Sequence, residues 1–145
     1  MMITRFTCTT VCLLCLVVLG CATMPVTPRQ ATDISLERII NSKYLSLKNS
    51  TTTSTLTFIR DSGIYGVGTT IYLFINGEEI VGFRPEEKLQ LFLEPGEYLL
   101  GVQSRPNFGL EQFIETSVRI EPSQQYSFRI SIDYNKAIVQ RTSAF

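Results

Sequence analysis

Glu94 and Glu97 bracket Pro95-Gly96, and two carboxyl groups held ~5 Å apart are the pair a retaining glycosidase uses, one as nucleophile and one as acid and base. If the four residues form a tight turn, the two acids can face each other across a hairpin. Solvated charge at a turn is the ordinary alternative. The other adjacent acids, Glu78 with Glu79 and Glu86 with Glu87, do not form couples, because neighbours along a strand point to opposite faces. Gly63, Gly66 and Gly68 are spaced loosely enough to cradle a phosphate, but that task needs a helix N-terminus directly after the loop, and a strand-like run follows instead. Ser46 and Lys48 lack the Ser-x-x-Lys spacing of a serine acyltransferase. With no histidine in the chain and no cysteine after Cys21, only scattered carboxylates remain for a metal. No metal, no cofactor and no catalytic residue is therefore expected, and the chain is read as non-enzymatic.

The remaining reactive residue type is cysteine. Cys8, Cys12, Cys15 and Cys21 all lie at the start of the chain, so residues 22–145 cannot form a disulfide among themselves and must fold on packing alone. The first residues carry one charge, Arg5, and no acid, followed by nine apolar residues from Val11 to Leu19. A membrane-spanning helix needs ~20 apolar residues, whereas the core of a secretory signal needs only ~7–15. Export is the expectation, with residues 1–20 removed as a signal peptide.

Val18-Leu19-Gly20-Cys21 resembles the lipobox of bacterial lipoproteins, in which the cysteine thiol is acylated and the chain is cut just before it. The resemblance implies lipidation at Cys21, a membrane anchor, and residence in the bacterial cell envelope. Ala22, standing where an aspartate would imply retention at the inner membrane, implies the outer membrane facing the periplasm. Several acyl chains on one cysteine make a near-permanent anchor, since each buried methylene contributes ~0.8 kcal/mol.

The elements that would position any site start further along. Residues 21–53 read as lipidated cysteine plus linker, with Pro25 and Pro28 among polar residues and one short helix over 33–44, capped by Asp33 and carrying Ile34, Leu36, Ile39 and Ile40. As flexible coil, about 28 residues would hold the domain on the order of 30 Å from the membrane. From residue 54 the pattern alternates with period two, the mark of half-buried strands. Leu56 and Phe58, Ile71, Leu73 and Ile75, then Leu89, Leu91 and Leu93 fall on single faces, as do Tyr98, Leu100 and Val102, then Ile114, Thr116, Val118 and Ile120, and finally Tyr126, Phe128, Ile130 and Ile132. Asn76-Gly77 suits a type I′ hairpin turn, and Ala137 to Arg141 adds an edge. The expectation is an all-β fold, a small antiparallel β-sandwich of seven or eight strands over residues 54–145, after a flexible lipidated tether.

The stretch from Phe58 to Val102, with "ING" and then Leu93-Glu94-Pro95-Gly96-Glu97-Tyr98, is similar to uncharacterised bacterial lipoprotein domains and, in its second half, to PEGA-type sandwich modules. The resemblance implies display or binding at the envelope and brings no catalytic residues with it. In an antiparallel meander the connections alternate between two ends. The longer ones carry Tyr65, Arg84, Arg105 and Phe108, and loop aromatics and arginines are common binding anchors. The tether is expected at the opposite, tight-turn end, so that this loop end points away from the lipid toward a protein or cell-wall partner. The charges balance at 13 against 13, with no basic patch for nucleic acid. The second reading is a periplasmic glycan-acting hydrolase or glycan-binding module that uses Glu94 and Glu97.

Overall fold

The computed structural model describes residues 23–49, 51–63, 67–106, 113–133 and 136–143. These form nine strands: β1 Thr32–Asp33, β2 Ser54–Arg60, β3 Thr70–Ile75, β4 Glu78–Phe83, β5 Glu87–Leu93, β6 Gly96–Arg105, β7 Ile114–Ile120, β8 Gln125–Asp133 and β9 Lys136–Thr142. One sheet runs β1-β5-β2-β8-β9 and the other β4-β3-β6-β7. The fold is an all-β sandwich, with the period-two residues turned inward. Leu56 and Phe58, Ile71, Leu73 and Ile75, Leu91 and Leu93, Leu100 and Val102, and Phe128 and Ile130 are buried in one cluster. Phe58 and Phe128 stack at 5.0 Å on neighbouring strands.

Asn76 and Gly77 take φ of 52° and 79°, as a type I′ turn requires, and close the β3–β4 hairpin. A register shift between Leu73 and Phe74 adds a bulge that lets both Ile80 and Val81 be buried.

Four expectations need correction. The sandwich is not a purely antiparallel meander: β2 pairs β8 in parallel, and β1 pairs β5 in parallel. The chain changes sheets after β2, β4, β5 and β7, and β8 returns beside the strand that opened the domain. There is no hairpin at Glu94–Glu97, because β5 is already flanked by β1 and β2 and β6 by β3 and β7. That bend carries the chain from one sheet to the other. In place of one helix over 33–44 there is strand β1, a 3-10 turn at Leu36–Arg38 and a second at Lys43–Asn49. The backbone donors of this segment go to sheet edges instead of to a helix: Thr32 N–H to Glu86 O, Ile34 N–H to Lys88 O and Ile40 N–H to Ile80 O. Ile34 and Tyr44 thereby enter the main core, so the edges of β5 and β4 are covered and their unpaired backbone groups satisfied.

The fourth correction concerns the linker, which from Thr23 onward is no flexible spacer. Val26 and Ala31 are buried over Ile59 on the outer face of the five-stranded sheet. Met24 pairs with Ser62 through reciprocal bonds of 2.8 and 3.1 Å, and the Thr23 hydroxyl donates to Ile132 O at 2.9 Å. Among the described residues no helix is long and apolar enough to cross a membrane.

Candidate functional site

The two ends of the sandwich are unlike. Asn76-Gly77, the β5–β6 bend and the β7–β8 turn lie at one end. At the other lie the ends of β2 and β4, the start of β3 and the end of β6, as the pairs Arg60↔Ile130, Thr70↔Arg105 and Ile71↔Phe83 require. Here the alternation of β2 places Arg60 in phase with Leu56 and Phe58, so a cation enters the core end with 2 % of its surface exposed. Its Nη1 donates to Thr69 O and to Phe83 O, both at 2.7 Å, and its Nη2 to Thr69 Oγ1 at 3.1 Å. Burial pulls the guanidinium down to about 10, with Glu87 pulling it back up. It remains protonated at neutral pH and ties the two sheets together where their hydrogen-bond ladders end.

Next in sequence, Asp61 points the other way. Its carboxylate is buried, accepts from Nε and Nη2 of Arg129, and accepts from Val26 N–H at 3.2 Å. One ion pair therefore holds both β8 and the N-terminal strap of residues 23–31. The neighbouring turn is fixed as well: Glu86 sits at φ 63°, its N–H donates to Arg60 O, and its carbonyl accepts from Thr32 N–H. Glu87 accepts from Arg84 N–H and pairs with Arg38.

Of the residues picked from sequence, Cys21, Tyr65 and Phe108 lie outside the described residues. Arg84 stands exposed at the long-loop end. Arg105 starts there, but its side chain lies back over the outer face of the four-stranded sheet. It forms a two-pronged pair with Glu79 at 2.9 and 3.2 Å, bonds Gln103 and covers the Tyr72 ring at 4.4 Å. Phe74 lies within reach of the same guanidinium, at 5.9 Å, and meets Phe113 edge to face at 5.0 Å. Arg84 and Arg105 thus serve different surfaces, one the end and the other a sheet face.

The strap reverses the expected orientation. Thr23, Met24 and Val26 are bonded to Ile132, Ser62 and Asp61, all at the long-loop end, so the chain enters at that end and not at the tight-turn end. The inference from β2 fails because residues 23–49 run from the long-loop end along the sheet edges before β2 begins. Arg60, Asp61 and Arg129 escaped the sequence reading. The signal for Arg60 was its parity with Leu56 and Phe58; Asp61 and Arg129 have none, since 68 residues separate them.

Glu94 and Glu97 are exposed, and the Glu94 carbonyl accepts from Tyr98 OH at 3.0 Å. A cleft of about 710 Å³ lies between β7 and β9, floored by Val118, Phe128 and Val139 and rimmed by Arg119 and Arg141. Another of about 420 Å³ lies beside Pro28 and Lys88. Neither includes the two glutamates. Comparison with protein-family models, with curated proteins and with solved structures returns no match.

Proposed function

We infer that the chain is an envelope lipoprotein, anchored through Cys21, whose non-catalytic sandwich presents a surface to a periplasmic protein or cell-wall partner. The observation that carries the reading is the placing of the core relative to the leader. The apolar run Val11–Leu19 stops at Cys21, while the described core is closed by residues from Val26 to Val139. Every described core residue therefore lies after Cys21, and a cut just before Cys21 removes none of them.

The surface suited to a partner is the outer face of the four-stranded sheet, where Arg105, Tyr72, Phe74 and the half-exposed Phe113 lie side by side. Arginine and aromatic side chains concentrate binding energy, and Arg105 belonged to the set picked from sequence. The test is intact-mass analysis of membrane-extracted protein, combined with in-cell crosslinking from position 113. A chain beginning at Cys21 and carrying acyl mass, with crosslinks lost in Arg105→Ala, supports the reading. An uncut leader or a free thiol at Cys21 refutes it.

A further inference from the structure

We propose that the long-loop end of the sandwich rests directly on the lipid bilayer, so that the domain sits on the membrane surface and is not held off it. This inference depends on the acylation of Cys21 proposed above, but adds an orientation and a contact surface that acylation alone does not specify.

Chain length supplies the constraint. Thr23 follows Cys21 by two residues, and an extended chain advances at most ~3.6 Å per residue, which keeps the Cys21 Cα within about 7 Å of Thr23. Thr23 itself is bonded to Ile132, Met24 is bonded twice to Ser62, and Val26 is bonded to Asp61. Pro25 lies between these tie points and has its φ fixed by its ring, so the strap has little slack. The headgroup layer of a bilayer is roughly 5–8 Å thick on each side. An acylated cysteine sits in that layer, and the residues bonded to the strap must then lie at its outer boundary.

The surface chemistry of the two ends agrees with this placement. Met24 and Val67, 62 % and 69 % exposed, are large apolar side chains left open to solvent at the long-loop end. Arg84 and Lys136 are exposed there too, beside the exposed acids Glu86 and Asp33, the latter paired with Lys88. Apolar side chains flanked by cations suit an interface of acyl chains and phosphates. At the opposite end Glu78 and Glu121 are paired with Lys43 and Arg119, while Glu94 and Glu97 stand exposed, and an anionic headgroup layer repels them. With the long-loop end down, the Arg105 face stands upright beside the membrane and open to the periplasm.

The experiment uses the full acylated protein in vesicles of phosphatidylethanolamine and phosphatidylglycerol. Residues 22–145 lack cysteine, so a single probe can be attached at Val67→Cys or at Glu94→Cys. The expected result is that the Val67→Cys probe is several-fold less accessible to an aqueous quencher than the Glu94→Cys probe. The difference should vanish in detergent. Equal accessibility, or a better-protected Glu94→Cys, with acylation at Cys21 confirmed by mass, overturns the orientation and leaves the anchor standing. An unacylated Cys21 overturns both.

Discussion

Replacing Asp61 with asparagine should loosen the strap selectively. The carboxylate is 1 % exposed and Arg129 32 % exposed. Asparagine keeps the shape and an oxygen for Val26 N–H, but turns an amide donor toward the Arg129 guanidinium. Hydrogen bonds to charged groups contribute ~1.5–3 kcal/mol, and breaking a fully buried ion pair costs ~3–5 kcal/mol. Because Arg129 can turn its head to water, the cost should fall at the low side, about 2–3 kcal/mol. If it falls on strap opening, the amide exchange of Met24, Val26 and Ser62 should speed up by roughly 30- to 150-fold, at 1.36 kcal/mol per factor of ten. Native-state hydrogen exchange read by mass spectrometry resolves this segment from β3 and β6. In an Arg129→Met background the same change should cost under ~1 kcal/mol, since the opposed donor is gone. A change below ~0.5 kcal/mol, or exchange that rises across β3 and β6 with the strap unmoved, would refute the reasoning.

Arg60→Met keeps the stem but removes the guanidinium donor to the carbonyls of Thr69 and Phe83. Net of the desolvation it relieves, urea unfolding should show a loss of about 2–4 kcal/mol, and no loss would mean those carbonyls find other donors. Gly77→Ala meets open space, with φ of 79°, so its cost is conformational alone and should be about 1–2 kcal/mol in the same assay. Tyr98 is raised above its ordinary 10, by burial first and then by Tyr44 and Glu94, against a lowering by Lys43. A raised folded pKa means the native state holds the proton longer than the unfolded chain, so this contribution is full below pH ~10 and lost as pH climbs through the folded value. Tyr98→Phe should therefore flatten the alkaline fall in stability relative to the parent. Arg60, lowered to about 10, acts with the opposite sign over the same range in both proteins and cancels in the comparison.

The strands were legible because burial is a period-two property and these strands each turn one face to a single core. Leu56, Phe58, Ile71, Leu73, Ile75, Phe128 and Ile130 all fell on the expected side. The Asn76-Gly77 turn was legible because positive φ at two successive residues restricts composition so sharply. The segment around Ile34 misled. A 3.6-residue spacing of apolar side chains describes a helix only when the backbone has no better partners, and the open edges of β4 and β5 supplied them. Glu94 to Glu97 misled for a related reason: a tight bend looks the same whether it joins two strands of one sheet or carries the chain across to the other.

What the amino-acid order determined by itself is therefore local: which residues alternate, where the backbone must turn left-handed, and where an apolar run ends in a cysteine. What tertiary structure alone decided is which end of the sandwich lies next to that cysteine. Asp61, Arg129 and Val26 are far apart in the chain and meet only once β2 and β8 pair in parallel. The strap is held by contacts between distant residues, and no spacing within the strap encodes which end those contacts occupy.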